Sequence, residues 1–190
     1  MAKPRSIGLV VFASEQLWPN LQSVCHFAGE ELARVFIHHT TDEVRSKGPA
    51  ERLASLIRKE FPGVGAVLPA QPSSMHPQQV RAVLDGWMTS PAAGVDEWVV
   101  NLTGGTKLIT LGGLGTLAKR ATRGIYRELN GEWFEIHHDG GAVFRTQPIT
   151  GFRETASSRI PVLSLVELQA GGEPGAAWTA SRPRHLSVIE

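Results

Sequence analysis

The segment Asn101-Leu102-Thr103-Gly104-Gly105-Thr106-Lys107 constrains this chain more than any other stretch, because it joins a strand pattern to a helical one through a polar turn with two glycines. Asp96-Glu97-Trp98-Val99-Val100 reads as a strand before it, and residues 108–120 carry apolar side chains at helical spacing after it. Two residues without a Cβ let the backbone bend and approach a ligand closely. The following helix turns free amides and the positive end of its dipole toward negative charge. Thr103 and Thr106 add hydroxyls and Lys107 a full positive charge. The turn therefore offers what a phosphate or phosphodiester needs.

Two better-known phosphate motifs do not account for it. A P-loop has Gly-Lys followed by Ser or Thr, whereas here Thr106 separates Gly105 from Lys107 and Leu108 follows, which argues against nucleoside triphosphate hydrolysis. Gly113-Leu114-Gly115-Thr116-Leu117-Ala118 has a loose dinucleotide spacing, but it falls inside the helical pattern, not between a strand and a helix. Gly112, Gly113 and Gly115 read better as a small-residue face for close packing, since each glycine costs a helix about 1 kcal/mol that a tight contact must offset.

The rest of the chain alternates strands and helices. Residues 6–13 form an apolar run of the kind found in parallel strands covered on both faces, followed by Ser14-Glu15-Gln16-Leu17-Trp18-Pro19-Asn20 and a helix to about Phe27. Residues 33–38 form a second strand. His39-Thr40-Thr41-Asp42 then leads into a helix reaching Phe61, with Thr41 or Asp42 as N-cap and an irregular start or restart at Gly48-Pro49. Residues 64–68 are a third strand, and residues 75–88 a helix with Val80, Val83, Leu84 and Trp87 on one face. Beyond Ala121 come strand patterns at 124–129, 132–137 and 142–147, joined by Asn130-Gly131 and Asp139-Gly140-Gly141, which suit hairpin turns. The expected fold is α/β: a Rossmann-like, mostly parallel sheet flanked by helices, with a C-terminal antiparallel hairpin extension. Residues 1–150 form this domain and residues 151–190 a short, partly irregular appendage in which only 162–168 looks structured.

Length and composition agree. A single-domain chain of 190 residues can bury about 70% of its unfolded surface without staples. The single cysteine, Cys25, forms no internal disulfide and reads as a buried small apolar residue, consistent with a cytoplasmic setting. The longest apolar stretch is too short to span a bilayer, and no signal-peptide pattern opens the chain, so no membrane partner is expected. A net charge of +1 provides no general attraction for long nucleic acid, which directs attention to a small ligand held locally.

In an open parallel sheet, ligands bind beyond the carboxyl ends of the strands where the strand order reverses. Three polar segments fall there: 14–20, 39–42 and 101–107.

These residues carry a resemblance to a known family. Asn101-Leu102-Thr103-Gly104-Gly105-Thr106-Lys107 resembles the Asn-x-Thr-Gly-Gly-Thr-Lys signature of CRISPR-associated Rossmann-fold (CARF) domains, which sense cyclic oligoadenylates in type III CRISPR antiviral signalling, and Ser14-Glu15-Gln16-Leu17-Trp18-Pro19-Asn20 resembles their Ser/Gln/Pro-Asn segment. The resemblance, over residues 1 to about 150, implies a homodimer with one cyclic tetra- or hexa-adenylate on its dyad. Thr103, Gly104, Gly105, Thr106 and Lys107 would hold the ligand backbone, Ser14, Gln16 and Asn20 would touch ribose or adenine edges, and Asn101, Thr40 and Thr41 would complete the site. Neither a cofactor nor a metal is expected. Family members usually carry an effector domain after the sensor; the stretch after Thr150 is short for one, so a ring nuclease that destroys the messenger is the leading enzymatic expectation, with a non-catalytic sensor as alternative. Lys107, Ser14 and His39 are its candidate catalytic residues. Arg34 to His39 matches the Arg-x-x-x-x-His spacing of effector ribonucleases but lies in a strand pattern.

Other conspicuous residues have plainer readings. His38 and His39 would face opposite sides of a strand, so at most one meets a ligand. His137 and His138 precede a turn and read as exposed. Trp18 suits either stacking on a base or capping an apolar seam, while Trp87, Trp98 and Trp133 read as packing residues. Lys119, Arg120 and Arg123 read as a solvated basic face at a helix end.

Overall fold

The computed structural model describes residues 6–28, 32–118, 122–138, 144–152 and 160–170. A single seven-stranded sheet runs in the order β3-β2-β1-β4-β5-β6-β7. β1 (Ile7–Phe12) pairs in parallel with β2 (Leu32–His38) and β4 (Glu97–Asn101), β2 with β3 (Gly65–Val67), and β4 with β5 (Arg123–Arg127). β6 (Trp133–His138) and β7 (Phe144–Pro148) add antiparallel. The antiparallel extension thus begins with β6, because β5 is reached by a helical crossover from β4 and so lies parallel to it. In the β5–β6 hairpin, Gly131 has φ 96° and the Glu128 amide donates to the Glu132 carbonyl at 2.9 Å. The Asp139-Gly140-Gly141 turn lies outside the described residues, as do Lys119 and Arg120.

β1 alternates across the sheet as the pleat requires. Leu9 and Val11 join a core with Leu21 and Val24 of α1 (Trp18–Ala28), Leu53 and Ile57 of α2 (Gly48–Glu60) and Leu168 of α5 (Val162–Ala170). Val10 and Phe12 face the other way, toward Val80 and Leu84 of α3 (Pro77–Thr89) and Ile109 and Leu117 of α4 (Lys107–Leu117). Cys25 is buried in the first core, and burial pushes its thiol up to about 11. Trp98 and Trp133 are buried, and Trp87 packs on Phe36. The second helix does restart: a π-helical turn over Glu43–Lys47, capped by the Asp42 carboxylate on the Val44 and Arg45 amides, precedes α2.

Two expectations change. Arg123 is no solvated cation: its guanidinium lies 2.7 Å from Glu97 and 2.9 Å from Glu135, tying β5 to both neighbours. His137 is half-buried, 3.1 Å from the same Glu135. Beyond residue 150, Phe152 stacks on both Trp133 and His26, and Arg52 of α2 donates to the Leu168 carbonyl at 2.8 Å, so α5 lies against α2.

The glycines of α4 prove to do three different things. A Cβ on Gly112 would stand 2.7 Å from the Val80 Cβ and 2.9 Å from the Pro77 carbonyl, so this glycine lets α4 pack closely on α3. One on Gly113 would strike the Phe12 ring at 2.8 Å, so this glycine seats the helix on the sheet. At Gly115 the nearest atom would be 3.6 Å away, in the flexible Arg81 side chain. All three are helical, which excludes the dinucleotide loop. Gly115→Ala should therefore stabilise the protein by about 0.5–1 kcal/mol through helix propensity, whereas Gly112→Ala should destabilise it by about 1–3 kcal/mol through overpacking; urea unfolding of both variants checks the opposite signs.

Candidate ligand-binding site

β1 and β4 are neighbours whose following helices, α1 and α4, cover opposite faces of the sheet, so their carboxyl ends mark the switch point. The glycine turn lies directly on the end of β1. A Cβ on Gly104 would come within 2.4 Å of the Phe12 carbonyl oxygen, a position only glycine can occupy, and Gly105 has φ 81°. The same Phe12 carbonyl accepts a 2.9 Å hydrogen bond from Asn20 Nδ2. Asn101 Nδ2 donates to Ser23 Oγ at 3.0 Å, and its Oδ1 accepts from the Thr103 amide at 3.0 Å, starting the turn. Thr103 Oγ1 accepts from the Arg127 amide at 2.8 Å, and Thr106 caps α4 by accepting from the Ile109 amide at 3.5 Å.

Gly105, with Ser14 and Glu15, borders two clefts. The smaller, about 240 Å³, lies among Ser14, Glu15, Gln16, Pro19, Thr103, Gly104 and Gly105. The larger, about 550 Å³, reaches from Ser14 and Gly105 to Thr40, Thr41 and Asp42, and on to residues 73–76. Ser46 braces its floor, with Oγ donating to the Ala13 carbonyl at 3.2 Å and accepting from the Thr40 amide at 2.9 Å. The loop before α3 is held over β2 by a parallel bridge between Thr40 and Ser73. Arg45 faces Glu15 across 3.9 Å, and Gln169 of α5 donates to the Glu15 carbonyl at 3.2 Å.

The structure thus brings the three expected loops together but sorts their residues. Ser14, Gln16, Thr40, Thr41, Thr103, Gly104, Gly105 and Thr106 line the clefts. Lys107 is exposed at the first position of α4, with no ion-pair partner among the described residues, and Trp18, 40% exposed, opens α1. Asn20 and Asn101 are fully buried, and their amides hold the scaffold beneath the clefts. His39 lines neither cleft: it is buried, with Nδ1 3.0 Å from the Thr40 carbonyl. That contact makes Nδ1 the protonated nitrogen. His38 faces the opposite side of the sheet, edge-on to Phe12. Ser73, Ser74, Met75 and His76 also line the larger cleft and are missing from the sequence reading. Their signal was the same rule used elsewhere, since they follow the carboxyl end of β3 and precede Pro77 at the start of a helix.

No family model matches this chain, and no curated protein matches it in sequence. Its fold does occur in solved structures. Can2 from Sulfobacillus thermosulfidooxidans, in complex with cyclic tetra-adenylate, superposes with TM-score 0.57 at 15% identity, over 85% of this chain and 40% of that one. Protein VC1899 from Vibrio cholerae gives TM-score 0.60 at 9% identity, over 85% and 39%. Enterococcus italicus Csm6, bound to cyclic hexa-2'-fluoro-hexa-dAMP, gives 0.53 at 11% identity, over 66% and 34%. The chain spans about two fifths or less of the length of these proteins, and what they share with it is the fold. No helix among the described residues is long and apolar enough to cross a membrane.

His38 carries a pH signature of this junction. Burial, reinforced by neighbouring His39, lowers its pKa to about 4, and neither ring nitrogen has a hydrogen-bond partner among the described residues. The unfolded chain therefore takes up a proton near pH 6.5 that the folded protein refuses until about pH 4. Stability is full above pH 6.5 and falls as the pH drops through this window, by on the order of 3 kcal/mol. Urea unfolding at pH 7 and pH 4.5 should show a smaller difference for His38→Leu than for the natural sequence; an equal difference would assign the acid sensitivity elsewhere.

Proposed function

We propose that this chain is a CARF-type sensor domain that binds a cyclic oligoadenylate, cyclic tetra-adenylate foremost, on the dyad of a homodimer in type III CRISPR signalling in the cytoplasm. The observation that carries this reading is the glycine turn packed on the Phe12 carbonyl, opening at the switch point between two clefts. Gly105 borders both clefts and Thr106, the N-cap of α4, lines the larger, so the reading has a helix N-terminus facing the phosphodiester, with exposed Lys107 one residue further on. The fold shared with a Can2 chain solved with cyclic tetra-adenylate supports the ligand class. Leu108 and Leu111, 48% and 56% exposed on the first turns of α4, support a second copy covering this face. A ring with internal symmetry suits an isologous site to which each protomer brings the same loops.

The enzymatic form of the proposal is ring opening. The ribose 2′-oxygen attacks the adjacent phosphorus while the bond to the 5′-oxygen breaks. The attacking hydroxyl loses its proton to solvent and the leaving 5′-oxygen takes one up, giving a 2′,3′-cyclic phosphate and a 5′-hydroxyl. Lys107 and the amides of Gly105 and Thr106 stabilise the charge on phosphorus-bound oxygens, and Ser14 helps align the ribose. With His39 turned into the protein, the chemistry rests on positioning and electrostatics, which makes turnover slow. That same placement favours the second reading, a sensor that binds without cleaving.

Calorimetry should show cyclic tetra-adenylate binding at micromolar protein. Lys107→Ala should weaken it about tenfold or more, the loss of one charge-assisted contact to phosphate. Absence of binding by both cyclic tetra- and hexa-adenylate sinks the proposal. Chromatography of the ring after incubation in EDTA separates the two forms: linear products that diminish with Lys107→Ala and Ser14→Ala mark the nuclease, and an intact but bound ring marks the sensor.

A further inference from the structure

We infer that Glu15 is the general base of ring opening, accepting the ribose 2′-proton that solvent would otherwise take. This inference rests on the ring-opening form of the proposal above and assigns a group to a step left there to water.

The junction of the two clefts singles the residue out. Among the described residues Ser14, Glu15 and Gly105 line both spaces, so a ligand reaching from one to the other passes over them. Gly105 belongs to the turn beside the phosphodiester and Ser14 aligns the ribose in that proposal. Glu15 is then the titratable side chain where sugar meets phosphate. The other acceptors nearby are engaged or elsewhere. Asp42 Oδ1 accepts from the Val44 and Arg45 amides at 3.2 and 2.9 Å, capping the π-helical turn. His39 is buried and lines neither cleft, and His76 lines the larger but not the smaller.

The Glu15 side chain, 66% exposed, faces Arg45 Nε at 3.9 Å. A pair this exposed holds its partners weakly, so the carboxylate stays available to a ligand. Its backbone is fixed: the Glu15 carbonyl accepts from Gln169 Nε2 at 3.2 Å, and Ser14 Oγ donates to the Gln16 carbonyl at 3.4 Å. An anchored main chain with a movable head suits a group that must reach a hydroxyl.

Charge makes the placement informative. Among the described residues Glu15 is the one charged side chain lining the smaller cleft, and in the larger it and Asp42 outnumber Arg45. A carboxylate beside a phosphodiester repels it, so for binding alone Glu15 is a cost. Proton abstraction from the 2′-hydroxyl is a task that needs an acceptor at that place, and an ionised carboxylate accepts without competing to donate.

The step balances. The 2′-hydroxyl proton passes to a Glu15 carboxylate oxygen as the 2′-oxygen bonds to phosphorus and the bond from phosphorus to the 5′-oxygen breaks. The 5′-oxygen takes a proton from water, and Glu15 returns its own to the hydroxide so formed.

Cleavage of cyclic tetra-adenylate is followed by chromatography under single-turnover conditions in EDTA. Binding is measured separately by calorimetry with the all-deoxy ring, which lacks the attacking hydroxyl, and circular dichroism checks that each variant is folded. Glu15→Gln should slow cleavage about a hundredfold or more and bind the deoxy ring as tightly as the natural protein or several-fold tighter. Glu15→Ala should be as slow, and added formate, a carboxylate small enough for the vacated space, should raise its rate about tenfold while leaving Lys107→Ala unchanged. Cleavage by Glu15→Gln at the natural rate, loss of ring binding in that variant, or no effect of formate on Glu15→Ala each overturns the assignment while ring opening stands. A natural protein that binds the ring without opening it also overturns the assignment, and the sensor reading survives. Binding of neither cyclic tetra- nor hexa-adenylate removes both.

Discussion

The contact on which the rest of the structure depends is the one at the Phe12 carbonyl. The last residue of β1 offers an oxygen that Asn20 Nδ2 holds at 2.9 Å and that Gly104 approaches more closely than any side chain would permit. Through it, the start of α1 and the turn after β4 share one anchor at the switch point of the sheet. Asn101 adds a second tie to the same place, bonding Ser23 of α1 and the Thr103 amide together. Both asparagines are fully buried, and a buried amide left without partners would cost about 1–3 kcal/mol, so the network holds the turn in one geometry. The clefts are preorganised because their floor is.

The same economy of backbone contacts appears around the larger cleft. Ser46 reaches from the π-helical turn to the Ala13 carbonyl and the Thr40 amide, so the exits of β1 and β2 cannot separate without breaking its bonds. π-helical turns are uncommon and recur at functional sites. This one carries Asp42, Arg45 and Ser46 to the cleft and runs directly into α2, the helix on which α5 rests. Gln169 of α5 also touches the Glu15 carbonyl in the loop after β1. The cleft and α5 are therefore in mechanical contact by two routes.

Much of this was legible in the residues. The strand patterns at 6–13, 33–38 and 96–100 correspond to β1, β2 and β4 within a residue or two, because buried parallel strands need unbroken apolar runs. Gly48-Pro49 announced the restart of the second helix, and the glycine turn announced the site. His39, Asn20 and the loop at 73–76 were not legible in the same way. Whether a polar residue at a strand end faces a cleft or the scaffold depends on which neighbouring strand it lies beside, and adjacency in the sheet is absent from a linear sequence. Arg123 shows the same limit: its partners Glu97 and Glu135 stand on strands that flank β5 in space, far from it along the chain on one side.

What the sequence determined by itself is the class of fold and the presence of a glycine turn between a strand and a capped helix, because periodicity, glycine placement and helix capping are local physics, complete within a dozen residues. What only the tertiary structure decided is the division of the site into two clefts of different character, and which polar residues look into them. Those follow from Gly104 resting on Phe12, Thr40 pairing with Ser73 and Ser46 bridging two strand ends, contacts between segments far apart in the chain that exist only once the sheet has set its strand order.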